Sequence, residues 1–322
     1  PSAVRRQMAE NAMQEAIAGY PGMAVCDTAE NAYQRKRMLA IFDQTVWALT
    51  RQVRAGQFVP EKFEVTFDEL EGKESLEYRL SHDVTMRLEG RIDRLDTFED
   101  ENKISIKVID YKSGNTKFDL LILYHGLQLQ LVVYMDAAVE MLRGQHPKKE
   151  ILPGGILYYH IDDPVLESDT PLSDEEAEQA LLFALRPDGL VNSGEEIYRA
   201  MDQNFEGKSQ MIPVEIKKNG EISTARSKVA STEEFAVITR YVEHEIRQCG
   251  EAIYAGNIAV NPYRSDIETS CTYCPYGSVC GMDAKIPGYE YRQFASMKKE
   301  EVLDQMQTEL ARNRGKEERS DE

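Results

Sequence analysis

Gly90-Arg91-Ile92-Asp93, and after it Val108-Ile109-Asp110-Tyr111-Lys112-Ser113-Gly114, is the stretch on which the fold turns. Ile104, Ile106 and Val108 alternate with polar residues, which predicts a strand running into Tyr111 and ending at the Ser113-Gly114 turn. Successive side chains on a strand point to opposite faces, so Asp110 and Lys112 project from the same side at its end. A strand-end carboxylate beside an ammonium, with a second carboxylate (Asp93) on a preceding strand, suits metal-dependent phosphodiester hydrolysis. Two acidic side chains hold a hard Mg²⁺ ion through oxygen, and a lysine orients the attacking water or neutralises developing charge. Taken alone, Asp-x-Lys is also a common surface ion pair, worth under ~1 kcal/mol and functionally silent.

The flanking sequence extends the core. Phe63, Val65 and Phe67 alternate with polar residues, as do Leu76, Tyr78 and Leu80, then Val84, Met86 and Leu88. These predict strands of one sheet with Asp93 and Asp110. Upstream, Met38, Leu39, Ile41, Phe42, Val46, Trp47 and Leu49 fall at helical spacing, with Gly56 as a stop. Downstream, Leu120–Leu142 predicts one continuous helix, and Gly154–Ile161 a largely buried return strand. A sheet, a crossing helix and a return strand make an α/β core. Ser173 with Glu176, and Ser231 with Glu234, are capping boxes that open two further helices. Asn219-Gly220 reads as a hairpin turn. The expected organisation is a helical lead-in (1–57), a nuclease-type core (58–162) and a helix-and-hairpin elaboration (163–260). A cysteine segment (261–296) and a polar tail (297–322), helical and then fraying, follow.

Composition bounds the function. The chain has 322 residues, 42% of them hydrophobic and 29% charged, which excludes wholesale disorder. With 38 Lys+Arg against 56 Asp+Glu, the net charge of -18 argues against a protein that coats nucleic acid nonspecifically. Eight of those negative charges sit in the run 162–178, which has no Lys or Arg, so the remainder carries -10. Arg91, Arg94, Lys107, Lys112 and Lys117 predict a locally basic cluster around the candidate site. The longest stretch free of charged side chains, Leu120–Met135, is shorter than the ~18 apolar residues of a membrane span. Pro1–Tyr20 carries Arg5, Arg6, Glu10 and Glu15 rather than the apolar centre of a signal peptide. The chain begins with Pro, so we expect a piece of a longer polypeptide.

Gln128, Gln130 and Tyr134 interrupt the apolar helix after the Asp110 strand, and Gln130 and Tyr134, four apart, share a face. Buried polar groups there need partners, whether core neighbours or a reacting centre. The order Gly-Arg-Ile-Asp, Asp-Tyr-Lys, Gln-x-x-x-Tyr resembles the RecB-type branch of the Asp…Asp-x-Lys nucleases, and more closely the C-terminal nuclease domain of the AddB family. The resemblance spans roughly Met38 to Gln293. It implies a restriction-endonuclease-like α/β core, a mixed central sheet flanked by helices, with a C-terminal cysteine-cluster segment. It also implies Asp93 and Asp110 as Mg²⁺ ligands, Lys112 assisting the attacking water, and Gln130 and Tyr134 supporting the site or touching DNA. The implied activity is 5′-strand hydrolysis of single-stranded DNA in processing double-strand breaks. The implied setting is the bacterial cytoplasm, bound to DNA ends and to a partner protein, AddA, that carries the helicase motor. No Gly-x-x-x-x-Gly-Lys-Ser/Thr occurs, so ATP hydrolysis is not expected of this chain.

Five cysteines include Cys271-Thr-Tyr-Cys274-Pro-Tyr-Gly-Ser-Val-Cys280, three thiols in ten residues. That spacing lets one loop wrap a metal or iron–sulfur centre, with a fourth ligand from elsewhere; spacing alone does not choose zinc over iron. The resemblance implies a [4Fe–4S] cluster. The family's upstream Cys-Pro-Phe and Gly-x-x-x-His elements have no match here, so the cluster and the metal site are each expected to take a ligand from outside the sequence. Cys26 and Cys249 read as structural or free thiols, and Glu64 as a solvent-facing acid. Two other classes of function stay open: a non-catalytic nuclease-fold scaffold for DNA or a partner, and an interaction module built on the cysteines.

Overall fold

A computed structural model describes residues 2–19, 28–69, 76–80, 84–265, 269–272 and 274–320; Cys26 and His82 lie outside these. Two helices lead in, α1 (Ser2–Ala18) and α2 (Ala29–Ala55), and α2 ends at Gly56 as its sequence predicts. Strands β1 (Val59–Thr66), β2 (Glu77–Arg79), β3 (Thr85–Arg87), β4 (Arg91–Glu99) and β5 (Lys103–Lys112) follow. Then come α3 (Leu120–Tyr124), α4 (Gln130–Gln145), β6 (Glu150–His160), α5 (Asp174–Ala184) and β7 (Asp188–Asn192). The chain continues through α6 (Glu195–Met201), β8 (Val229–Ala230) and α7 (Thr232–Tyr254). Short β9 (Tyr263–Arg264), α8 (Gly277–Cys280) and β10 (Arg292–Gln293) precede α9 (Lys299–Ser320).

The central sheet is mixed and has the order β1-β4-β5-β6-β7-β8. β1, β4 and β5 are antiparallel neighbours, β5 and β6 are parallel, and α3–α4 make the crossover between them. α4, α7 and α9 pack on one face with Ile106, Val108, Leu131, Met135, Ile238 and Met306. The other face carries Ile109, Leu157 and Tyr159 against α6 and Phe205–Ile216. This is the α/β nuclease-type core expected, a mixed sheet flanked by helices.

Three expectations change. The crossover is two helices, because Gly126 (φ 79°) and Gln128 (φ 55°) take left-handed backbone between them. Apolar periodicity is blind to that break, since Leu127 and Leu129 keep the pattern going. The strands around Tyr78 and Met86 pair with each other as a separate two-stranded sheet rather than joining the central one. The region after residue 162 is not an appendage to the sheet, since β7 and β8 extend it. The C-terminal segment is helical as read, and its first turns bury Val302, Leu303 and Met306. These apolar side chains share one face of an otherwise charged helix. Both capping boxes form as read, and Lys217–Glu221 closes as a tight turn with Gly220 at φ 87°.

Candidate active site

The site forms where β4 and β5 run out. Their ladder is paired from Glu99–Ile104 to Arg94–Ile109, and one step further places Asp93 across from Asp110. There the Tyr111 N–H donates to Asp93 Oδ2 at 2.8 Å, so the carboxylate takes the main-chain donor and its position is fixed by β5. Asp110 is 2% exposed. Lys112, two residues on and on the same face, brings its Nζ to 2.6 Å from Asp110 Oδ2. That contact is a close ion pair between a buried carboxylate and a half-buried ammonium. Burial pushes the Asp110 carboxyl up, Lys112 opposes that, and the negative charge of Asp93 adds to it.

Helix α4 supplies the opposite wall. Lys112 Nζ donates to Gln130 Oε1 at 3.1 Å, and Gln130 Nε2 donates to the Tyr134 hydroxyl at 2.6 Å. Tyr134 meets Phe67 edge to face, with ring centroids 5.7 Å apart. Phe67 in turn lies where a side chain at position 90 would be, its ring carbons 2.8 Å from an ideal Cβ, which explains a glycine at Gly90. Thus Asp93, Asp110, Lys112, Gln130 and Tyr134 come together as one chain of contacts. Gln128 does not join them; from the elbow it accepts from the Asp119 N–H and donates to the Lys117 carbonyl.

Two neighbouring carboxylates, one of them buried, suit a hard divalent ion. Mg²⁺ is commonly held by one or two carboxylates and completes its coordination with water and substrate phosphate. Among the described residues no group of three or more His, Cys, Asp or Glu is placed to hold a metal. That also covers the cysteine segment: Cys271 and Cys274 are exposed, Cys280 is half-buried, and their thiols are not gathered at one point. Cys249 sits exposed on α7. Glu64 faces solvent as read, paired with Arg91 at 2.9 Å.

The predicted basic cluster breaks up. Arg94 and Lys107 lie on the opposite face of the sheet from the site, both engaged with buried Asp96. The alternation that puts Asp110 and Lys112 together sends Lys107 and Ile109 the other way. Tyr158 is a site neighbour that the sequence does not single out. It pairs in register with Asp110 on the parallel strand β6, and its ring lies 5.4 Å from Lys112 Nζ. In the sequence it is hidden inside the uniformly apolar run Ile156–Tyr159.

The profile of the PD-(D/E)XK nuclease superfamily matches residues 1–281. The chain belongs to the PD-(D/E)XK nuclease superfamily. Asp93, followed by Asp110-Tyr111-Lys112, lies within the matched residues. Relatives named as the AddB component of an ATP-dependent helicase/deoxyribonuclease are similar to it over most of its length. The one from Lachnoclostridium phytofermentans is 37% identical over 319 residues, covering 96% of this chain and 26% of that protein. The one from a Thermoanaerobacter strain is 37% identical over 86% of the chain and 24% of its own length. The one from Caldanaerobacter subterraneus is 34% identical over 90% and 25%. The resemblance to the AddB family read from the motifs is borne out by these relatives. The PD-(D/E)XK chain spans about a quarter of the length of the curated relatives it matches. No helix among its described residues is long and apolar enough to cross a membrane.

Proposed function

We propose that this chain is the nuclease region of an AddB-type helicase–nuclease component and hydrolyses phosphodiesters of single-stranded DNA with Mg²⁺. The observation that carries this reading is the gathering of Asp93, Asp110 and Lys112 at one strand end, with the Asp110 carboxylate buried beside the Lys112 ammonium. Asp93 and Asp110 would hold the ion, which when bound neutralises phosphate charge and acidifies a water ligand. The chain's own groups do the rest. Asp93 is locked in place by the Tyr111 N–H. Lys112, steadied by Gln130 and through it by Tyr134, presents its ammonium where an attacking water or the developing phosphate charge would sit. The family reading adds 5′-strand polarity, AddA as partner, DNA ends as the point of engagement, and break processing in the bacterial cytoplasm.

The test is Mg²⁺-dependent degradation of end-labelled single-stranded DNA by the full-length protein with its partner. Asp110→Ala is expected to abolish it. Equal degradation by the two proteins would overturn the catalytic reading and favour a nuclease-fold scaffold.

We further propose that Cys271, Cys274 and Cys280 take up a [4Fe–4S] cluster with a fourth ligand from outside that loop. Three free cysteines within ten residues of one segment support it. Brown protein containing iron and sulfide, with broad absorption near ~400 nm, is expected. A colourless protein containing zinc would contradict it.

A further inference from the structure

Lysine has a flexible four-carbon stem, so a lysine that must place one ammonium beside a phosphate needs restraints on several sides. Lys112 has three. Asp110 Oδ2 is at 2.6 Å, Gln130 Oε1 at 3.1 Å, and the ring of Tyr158 lies beneath Nζ with its centroid at 5.4 Å. The first two come from the strand of Lys112 and from helix α4. The third comes from β6, where the parallel register sets Tyr158 beside Asp110 and His160 beside Lys112. Tyr158 is only 2% exposed. Burial pushes its hydroxyl up to about 12, and the neighbouring Asp110 carboxylate and Tyr134 phenol add to that. A neutral, electron-rich ring face in a dry position attracts a cation more strongly than one in water.

We propose that Tyr158 is a positioning residue of the nuclease site, whose ring face holds the Lys112 ammonium in its working place. This rests on the nuclease reading above. An ammonium has three donor hydrogens. Gln130 takes one, the Asp110 carboxylate takes another, and the ring closes off the side towards β6, which leaves one donor for substrate. The ring does this and not the hydroxyl, so phenylalanine should serve and an aliphatic side chain of similar size should not.

The test compares Tyr158→Phe and Tyr158→Leu in the intact helicase–nuclease, each with its melting temperature measured. Tyr158→Leu is expected to lower kcat on single-stranded DNA about tenfold with little change in KM, and Tyr158→Phe to stay within about threefold. In a Lys112→Ala background, Tyr158→Leu should lower kcat no further, which a merely structural role would not produce. A second readout is independent of catalysis: trace acetylation of lysines, followed by mass spectrometry of the Lys112 peptide. Lys112 labelling should rise several-fold in Tyr158→Leu and stay at the wild-type level in Tyr158→Phe. Equal loss in both variants, an undiminished effect without Lys112, or unchanged Lys112 labelling in Tyr158→Leu would each overturn the proposal. If wild type and Asp110→Ala degrade DNA alike, the nuclease reading fails instead, and the labelling experiment still decides whether Tyr158 holds Lys112.

Discussion

Strands β4 and β5 carry charged side chains on both faces, and the two faces treat them in opposite ways. On the face towards α6, Asp96 is 0% exposed and fully paired. It accepts from Arg94 Nε at 2.6 Å and Nη2 at 2.8 Å, and Lys107 Nζ lies 2.9 Å away. These cations hold its carboxyl below the usual range despite burial, while burial pulls Lys107 down. On the face towards α4, Asp110 is as deeply buried, but it has one cation, a neighbouring carboxylate in Asp93, and a raised pKa. A closed ion network is structure. An open one, with two carboxylates beside a single ammonium and a raised pKa, is where the proposed nuclease reading would seat its ion.

The largest expected break in that contrast is at the open face. Asp110→Ala or Asp93→Ala should lower DNA hydrolysis by at least about 10³-fold while the protein stays folded. The closed face should answer differently. Asp96→Asn leaves two buried cations without their anion and is expected to cost about 3–5 kcal/mol, read from the denaturant midpoint. Its effect on hydrolysis should follow the folded fraction alone. Gly90→Ala sits between these cases, since a methyl group there meets the Phe67 ring that supports Tyr134. A loss of about 1–3 kcal/mol is expected, with reduced kcat from the displaced Gln130–Tyr134 prop.

The smallest expected effect lies away from both faces. Asp136 on α4 has its carboxyl pushed up to about 7 by burial, with Glu243 and Glu140 adding to it and Arg143 opposing. In the unfolded chain an aspartate titrates near ~3.9. The folded state therefore keeps a proton that the unfolded state has lost, and stability declines as pH rises from about 4 to about 7. Asp136→Asn should flatten that decline and stabilise the protein by roughly 1–2 kcal/mol at pH 8, allowing for solvent screening. A thermal-melting series across pH checks it; a decline as steep in the variant as in wild type would contradict the assignment.

What the sequence made legible was local and periodic. Alternation located β5, an apolar run marked β6, two-residue spacing put Asp110 with Lys112, and both serine capping boxes opened helices. The i,i+4 spacing of Gln130 and Tyr134 became a 2.6 Å hydrogen bond. What stayed hidden depends on partners far away in the chain. The left-handed elbow at Gly126 and Gln128 is masked in Leu120–Leu142 because the apolar pattern survives it, and Gly126 is its one local mark. Arg94 and Lys107 look like a basic rim until Asp96 is seen to close them in. Tyr158 reaches Lys112 only through the parallel β5–β6 register, a pairing made across the α3–α4 crossover. The cysteine loop shows the limit from the other side: its spacing is unmistakable, yet spacing alone does not gather the thiols.

The most direct test of the contrast between the two faces is Asp110→Asn, which keeps the shape and removes the charge, measured for melting temperature and for Mg²⁺-dependent DNA hydrolysis on the same preparation. The buried carboxylate is held at a cost, so the variant should melt at or above the wild-type temperature while hydrolysis is lost. A variant that hydrolyses DNA like wild type, or that is destabilised as Asp96→Asn is expected to be, would contradict it.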